Sequence, residues 1–195
     1  MTTHPFDVLS PDHIIDAVES TGRRSDARLL ALNSYENRVY QVGIEDAEPL
    51  IVKFYRPGRW SEAQISEEHG FSRELAEAEI PVVAPLVDAA GETVHRWGEL
   101  LFAVFPRRGG HAPELDNPDN LVVLGRTLGR IHAVGAVRPF EHRPALDPGA
   151  VLQEARTLLP GNFVPGDLCD SYLSLLADVQ RELLPRLESL QAEDL

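Results

Sequence analysis

Strand-like and helical segments are separated along this sequence rather than interleaved. Before Pro106 the apolar residues form five short β-like runs, with one long helical segment between the third run and the fourth. The five runs are 27–32, 38–44, 50–55, 82–87 and 100–105. After Asn117 the apolar residues recur only at helical spacings. This order predicts an α+β fold, in which an antiparallel five-stranded layer with one main helix precedes a set of helices.

Capping residues predict where the first two helices begin. Ser10 and Pro11 begin a short leading helix. Ser61 and Gln64 form a capping box that begins a helix over residues 62–78. The apolar stripe of this second helix contains Ile65, Phe71 and Leu75. Both helices are therefore expected to pack an apolar face against the strands.

A segment rich in glycine, proline and charge, residues 106–117, is the predicted boundary between two lobes. Residues 1–105 are predicted to form an amino-terminal lobe, 106–117 a hinge, and 118–195 a partial helical carboxy-terminal lobe. Helices are predicted in this last part over 118–135, from Asp147 onwards and over 167–190.

Charge and cysteine content exclude several function classes. The chain has 31 acidic and 18 basic residues and a net charge of -13, which disfavours binding to a nucleic-acid backbone. Its one cysteine, Cys169, cannot form an internal disulfide. No stretch approaches the ~18 apolar residues of a membrane span, and the amino terminus does not resemble a secretion signal. We expect a cytoplasmic protein without nucleic-acid or membrane partners.

Lys53 is the residue whose position most needs a chemical reason. It lies in the apolar run 51–55 of a predicted central strand, where an unpaired ammonium group would lose its hydration. One interpretation is a lysine on the solvated face of a half-exposed strand. Protein kinases, however, place a lysine on their third strand, where it binds the α- and β-phosphates of ATP and pairs with a glutamate of the next helix. The order of elements favours this second interpretation.

The following helix offers two glutamates as partners for Lys53. At about 100° per residue, Glu68 falls within the apolar stripe and Glu67 at its edge. We therefore expect Glu68 to pair with Lys53, and Glu67 to lie on a solvated helix face. Because breaking a buried ion pair costs about 3 to 5 kcal/mol, Lys53→Ala is expected to impair folding as well as nucleotide binding.

The loop 33–37 occupies the place of a kinase phosphate-binding loop but contains no glycine. Ser34, Asn37 and nearby backbone N–H groups could still donate hydrogen bonds to phosphate oxygens. The alternative is an ordinary hairpin turn, and the chemistry of the loop leaves both open.

Five segments together resemble one known family. They are 32–41 (LNSYENRVYQ), 52–57 (VKFYRP), 67–69 (EEH), 103–106 (AVFP) and 124–132 (LGRTLGRIH). They are similar to the bacterial stress response kinase A family, within the superfamily of aminoglycoside-phosphotransferase-like kinases. The resemblance runs from about residue 10 to the end of the sequence.

The resemblance implies a protein-kinase-like fold and a cytoplasmic, magnesium-dependent serine/threonine protein kinase that takes part in stress survival. Its implied partners are ATP and a protein substrate. It further implies that Ser34 contacts ATP, that Lys53 holds the phosphates, and that Glu68 orients Lys53. The backbone from Val104 through Phe105 to Arg107 would contact adenine.

The catalytic loop of such kinases, His-Gly-Asp-x-x-x-x-Asn, is absent from the sequence. By resemblance, the aspartate base and the Mg²⁺ ligands are expected beyond residue 195, so that no catalytic residue lies in this chain. We expect the chain alone to be inactive, and its incompletely covered helices to favour self-association.

Two other functions remain open from the sequence. One is a phosphotransferase that acts on an aminoglycoside or amino alcohol, a cationic substrate that the net negative charge would suit. The other is a non-catalytic nucleotide-binding module.

Overall fold

The computed structural model describes residues 5–192 of the chain. These residues belong to two compact units, of which the first ends at Arg143 and the second begins at Pro144. The boundary between these units lies after the segment 106–117, and the lobe boundary expected at that segment stays a prediction.

The first unit contains a five-stranded antiparallel sheet, in the order β1-β2-β3-β5-β4. The strands are β1 Ser25–Leu32, β2 Arg38–Ile44, β3 Ala47–Phe54, β4 His95–Trp97 and β5 Leu100–Pro106. The fold class predicted from the order of segments is thereby confirmed. Because β3 lies between β2 and β5, Lys53 stands on the central strand, with Val39 and Ala103 as its neighbours in register.

The strand predicted at 82–87 is wrong, because the fourth strand is β4. Pro81 and Pro85 have no N–H group, so this segment cannot supply a regular ladder of hydrogen bonds. It makes one such bond, in which Leu86 N–H donates to the carbonyl of Val104 at 2.8 Å.

The two helices of the amino-terminal part begin where the capping residues predict. They are α1, Pro11–Glu19, and α2, Glu62–Glu77. At the start of α2, Ser61 N–H donates to Gln64 Oε1 at 2.9 Å and Gln64 N–H donates to Ser61 Oγ at 3.2 Å, which completes the capping box. Leu75 of the predicted stripe is buried, whereas Phe71 is only half-buried.

The two helices cover opposite faces of the sheet. On one face, Val18 of α1 packs in the main core with Val52 and Phe54 of β3. On the other face, Ile65 of α2 packs in a smaller cluster with Tyr55 and with Ala103 of β5. Since successive residues of a strand point to opposite faces, Lys53 is directed towards α2.

Within the described residues, three α-helices follow β5: α3 Pro118–Gly135, α4 Pro148–Leu158 and α5 Cys169–Ala192, and a 3₁₀ turn, Gly166–Leu168, precedes α5. None of the residues of α3, which is described over its whole length, is buried. In the second unit α4 packs against α5. Within residues 5–192, none of the helices combines the length and apolarity needed to cross a membrane.

Candidate functional site

Lys53 lies beside an acid of α2, on the sheet face that α2 covers. Its Nζ atom is 3.8 Å from Glu68 Oε1 and 4.6 Å from the centre of the Tyr55 ring. The side chain of Lys53 is 26 % exposed and that of Glu68 is 38 % exposed. The pair is therefore partly solvated and loosely made, unlike the buried pair expected from the sequence. Lys53 is also the only lysine in a chain with 18 basic residues.

Glu68 has a second cationic partner that the sequence does not suggest. Arg143 Nη1 donates to Glu68 Oε2 at 2.6 Å, while Lys53 approaches the other carboxylate oxygen. Arg143 also lies 75 positions further along the chain than Glu68. A charge-assisted bond of this length is stronger than the 3.8 Å contact to Lys53.

Glu67 is half-buried and bonded to the backbone, whereas the sequence predicts a side chain on a solvated helix face. Its carboxylate accepts the backbone N–H groups of Glu141, His142 and Arg143 at 2.5, 2.9 and 2.7 Å. Desolvation alone would raise the pKa of Glu67, but the three N–H groups outweigh it and hold the pKa below its ordinary value.

A chain of buried polar groups lies behind the Lys53–Glu68 pair. The Tyr55 hydroxyl is 2.8 Å from His69 Nε2, and His69 Nδ1 is 2.8 Å from Thr93 Oγ1. Burial lowers the pKa of His69 to about 4, against which the charge of Glu68 acts only partly. Burial, with a further contribution from Glu68, raises the pKa of the Tyr55 hydroxyl well above its ordinary value. Both groups are therefore neutral near pH 7.

Lys53 and Glu68 open onto a cavity of about 310 Å³. Its lining residues come from the sheet, from α2 and from the segment around Pro106; they are Val39, Ile51, Lys53, Glu68, His69, Ser72, Val83, Phe105, Pro106 and Arg108. The cavity has apolar side chains, such as Ile51 and Phe105, and the ammonium group of Lys53. This combination suits a ligand with a flat apolar part and an anionic group.

The loop between β1 and β2 is held in a defined shape. The Ser34 hydroxyl donates to the carbonyl of Asn37 at 2.8 Å, and the backbone N–H of Arg56 donates to Asn37 Oδ1 at 3.2 Å. Neither Ser34 nor Asn37 lines the 310 Å³ cavity. Their contact with ATP therefore stays a prediction.

The residues at the end of β5 differ in whether they are buried, line the cavity or bond to a neighbouring strand. Val104 is fully buried and its carbonyl accepts the N–H of Leu86. Phe105 lines the cavity, whereas Arg107 does not and instead donates from Nε to Gln41 Oε1 at 3.0 Å. A role of these backbone groups in binding adenine stays a prediction.

The structure thus brings together three of the seven predicted ligand-binding residues, Lys53, Glu68 and Phe105, around one cavity. Sequence reasoning missed His69, Arg108 and Arg143. His69 could have been found, because it lies four positions after Ile65 and so belongs to the same buried helix face. No local pattern points to Arg143, which meets α2 only through the tertiary fold.

Another cavity, of about 420 Å³, lies on the opposite face of α2, between that helix and the end of α3. Phe71 and Phe140 meet there edge to face, with their ring centres 5.4 Å apart. It shares no lining residue with the Lys53 cavity.

The described residues do not by themselves form a metal centre. Within residues 5–192, no three His, Cys, Asp or Glu side chains come together as a group that could hold a metal ion. Glu68, the acid nearest the cavity's ammonium group, is already bonded to Arg143.

Comparison with protein families gives a match over most of the chain. The phosphotransferase enzyme family matches residues 28–192. This range includes β2 to β5 and all of α2 to α5.

Curated relatives carry kinase names. The chain is 44 % identical over 169 residues to stress response kinase A of Escherichia coli O157:H7, covering 86 % of this chain and 51 % of the relative. It is 47 % identical over 151 residues to stress response kinase A of Salmonella choleraesuis, covering 77 % and 46 %. A third relative, at 46 % over 151 residues, is serine/threonine protein kinase RdoA of Salmonella typhimurium. The chain spans about half the length of the curated relatives it matches.

Solved structures share the fold at low sequence identity. An amicoumacin kinase in complex with AMP-PNP, Ca²⁺ and Ami superposes with a TM-score of 0.68 at 20 % identity, covering 88 % of this chain and 53 % of that one. A spectinomycin phosphotransferase in complex with ADP and spectinomycin gives a TM-score of 0.60 at 12 % identity, covering 96 % and 59 %. At these identities the likeness shows the fold alone.

Proposed function

The chain belongs to the phosphotransferase enzyme family, with stress response kinases A as its homologues, and from that premise we propose that it is the ATP-binding part of a serine/threonine protein kinase. The complete protein would transfer the γ-phosphoryl group of ATP to a protein hydroxyl in the cytoplasm. This chain alone would bind the nucleotide without turnover.

One observation carries the proposal: the only lysine of the chain stands on the central strand, in a cavity, beside a glutamate of the following helix. Seventeen of the 18 basic residues are arginines, yet this position is a lysine. An ammonium group binds phosphate oxygens as a compact point charge, whereas a guanidinium binds them as a planar fork, so the two side chains are not interchangeable at such a site. Lys53 with its Glu68 partner is the pair that kinases use for the α- and β-phosphates.

The other contacts follow from this placement. Phe105 and Ile51 line the apolar part of the cavity, and we assign adenine to that part. Ser34 and Asn37 would approach the phosphates from the loop between β1 and β2. The backbone of Val104 and Arg107 would meet the edge of the base, with residues 106–117 as the hinge.

Catalysis needs groups that this sequence does not contain. We assign the aspartate base and the ligands of Mg²⁺ to a segment outside residues 1–195, as the kinase reaction requires them. Magnesium would neutralise the phosphates and orient them for transfer. The protein substrate would also bind outside this chain.

A second candidate is a small-molecule phosphotransferase. The structural neighbours support it, since one is an amicoumacin kinase, another an aminopropanol kinase and a third a spectinomycin phosphotransferase. The net charge of -13 would attract a cationic substrate. Assays of the complete protein with protein and amino-alcohol acceptors distinguish the two candidates. A complete protein that binds nucleotide but transfers phosphate to neither would instead be a nucleotide-binding module.

Lys53 permits a direct test of nucleotide binding by this chain. An amine-reactive ATP analogue whose reactive group replaces the γ-phosphate should label Lys53, and mass spectrometry can assign the label without ambiguity because no other lysine exists. Excess Mg-ATP should suppress the label at Lys53 but not at the terminal amine. Equal labelling with and without Mg-ATP would contradict the proposal.

Calorimetric titration with Mg-ATP provides the quantitative version of this test. Lys53→Ala should weaken binding by about tenfold or more, since an ammonium–phosphate contact in a cleft exceeds ~1.4 kcal/mol. Arg96→Ala is a matched control, because it removes a cation from an exposed pair outside the cavity. Equal affinities of the unmodified chain and Lys53→Ala would count against the assignment.

A further inference from the structure

The segment of residues 138–143, here called the α2 clasp, lies along α2. It is joined to the helix by an ion pair, an aromatic contact and a hydrogen bond. These contacts are Arg138 with Glu74, Phe140 with Phe71 at 5.4 Å between ring centres, and the Gln64 side-chain amide donating to the carbonyl of His142 at 3.0 Å. These contacts are spread over residues 64–74, about three turns of α2.

Glu67 fixes the end of the clasp more firmly than any of these contacts. One carboxylate accepts three consecutive backbone N–H groups, those of residues 141, 142 and 143. Such an arrangement holds the backbone rather than a mobile side chain, so it determines where the Arg143 side chain begins.

The Arg143 side chain then lies between an aromatic ring and the acid that pairs with Lys53. Its guanidinium carbon is 4.4 Å from the centre of the Trp60 ring, and its Nη1 is 2.6 Å from Glu68 Oε2. The indole of Trp60 is itself fixed, because its Nε1–H donates to Glu36 Oε1 at 3.3 Å. A planar guanidinium can stack on an aromatic ring and donate a hydrogen bond to a carboxylate at the same time, and an ammonium group is less suited to this combination.

Arg143 and Lys53 divide the carboxylate of Glu68 rather than compete for it. Arg143 takes Oε2 and leaves Oε1 facing Lys53. Since the Glu68 side chain is 38 % exposed, it would otherwise sample several rotamers and offer Lys53 no fixed partner.

We propose that Arg143 is a positioning residue for the Lys53–Glu68 pair, and that Glu67 holds Arg143 in place through the α2 clasp. The consecutive acids of α2 thus have separate tasks, one binding the clasp backbone and the other linking Arg143 to Lys53. This inference rests on the proposed role of Lys53 in binding the phosphates of ATP, and it adds a specific device that controls that role.

The decisive comparison is between ATP and adenosine as ligands of the same variants. Arg143→Met should weaken binding of Mg-ATP about three- to tenfold, in line with coupling energies between residues in direct contact. It should leave binding of adenosine unchanged, because adenosine has no phosphate for Lys53 to hold. A variant that loses affinity for both ligands equally would show a merely structural role and overturn the proposal, as would tighter ATP binding.

Arg143→Lys separates positioning from simple charge. Lysine keeps the positive charge but cannot stack on Trp60 and bond Glu68 in the same geometry, so ATP affinity should recover only in part. Complete recovery would mean that the charge alone matters, and would contradict the positioning role.

Glu67→Gln tests the contact between Glu67 and the backbone of the α2 clasp, which is the part of the proposed arrangement furthest from Lys53. An amide accepts backbone N–H groups less strongly than a carboxylate, so ATP affinity should fall, and the fall should vanish in the Arg143→Met background. Glu77→Gln is the matched control, since it makes the same change on an exposed residue of the same helix and should not alter affinity. Additive effects of Glu67→Gln and Arg143→Met would contradict the proposed chain.

Failure of the nucleotide-binding proposal can be recognised separately. If the unmodified chain binds neither ATP nor adenosine, the nucleotide-binding proposal fails for this chain. The contact between Arg143 and Glu68 is then tested by urea unfolding. Arg143→Met and Glu68→Gln must be strongly non-additive in unfolding free energy, because the two side chains are in direct contact. Additive losses would overturn the inference in that case too.

Discussion

Tyr55 of the central strand region and His69 of α2 share a hydrogen bond of 2.8 Å in a place that water does not reach, with 3 % and 1 % of each residue exposed. The bond joins the sheet to the helix that carries Glu68. It also fixes the floor of the cavity, which His69 lines beside Lys53. Stability and site geometry therefore depend on the same contact.

Tyr55→Phe should destabilise the first unit by about 1 to 3 kcal/mol, because it leaves a buried ring nitrogen of His69 without a partner. Urea unfolding followed by circular dichroism measures the difference. Tyr35→Phe makes the same chemical change at a fully exposed ring and should cost nothing measurable. Equal unfolding midpoints of Tyr55→Phe and the unmodified chain would contradict the importance of the bond.

The pKa of His69 predicts how stability depends on pH. The ordinary value of 6.5 applies to the unfolded chain, whereas burial lowers the pKa to about 4 in the folded protein. Between these values the unfolded chain binds more protons, so stability is complete above pH 6.5 and falls as the pH decreases towards 4. The loss by pH 5 should reach about 2 kcal/mol.

A variant isolates this contribution from that of His95, a half-buried histidine whose pKa is also lowered by burial. His69→Gln should flatten the dependence of unfolding free energy on pH between 7.5 and 5, whatever its effect at neutral pH. His111→Gln, at an exposed position, is the matched control for the change from histidine to glutamine. An unaltered slope in His69→Gln would show that another group titrates.

Local sequence signals were sufficient for much of the fold. The capping box at Ser61 and Gln64 depends on residues three positions apart, and α2 begins where it predicts. Helical rotation placed Glu68 rather than Glu67 on the side of Lys53, where the structure has it at 3.8 Å. Both features follow from geometry within a few residues.

Features that depend on the tertiary fold could not be predicted in the same way. The run 82–87 is as apolar as a strand, but Pro85 within it and Pro81 before it lack N–H groups for a regular ladder, and the shorter β4 pairs with β5 instead. A helical wheel places Glu67 on a solvated face, because the wheel contains only residues of α2. The α2 clasp that binds Glu67 lies more than 70 positions further along the chain. No periodicity within α2 contains that information.

The loose geometry of the Lys53–Glu68 pair predicts a small effect on stability. Lys53→Ala should lower the unfolding free energy by about 1 kcal/mol or less, as for partly exposed ion pairs, and not by the amount expected of a buried pair. Glu68 keeps its bond to Arg143 in this variant. Glu68→Gln should cost more, because it weakens both contacts. Thermal unfolding of the two variants side by side checks the order, and a larger loss in Lys53→Ala would contradict it.

The apolar side chains of α3 predict self-association of this chain. Leu121 and Leu128 are 50 % and 54 % exposed, and Val122 and Val123 beside them are 50 % and 60 % exposed. Several exposed apolar side chains on one helix favour contact with another apolar surface in water. Light scattering should therefore show a mass that rises with protein concentration.

Leu128→Glu should shift this equilibrium towards the monomer, because an ionised carboxylate cannot be buried in an apolar contact without a large desolvation cost. Val8→Glu introduces the same charge at a residue that is 60 % exposed and precedes α1, so it controls for the change in net charge. Sedimentation velocity of the three proteins at matched concentrations measures the result. A monomeric unmodified chain at high concentration, or equal shifts in both variants, would show that α3 is not the contact surface.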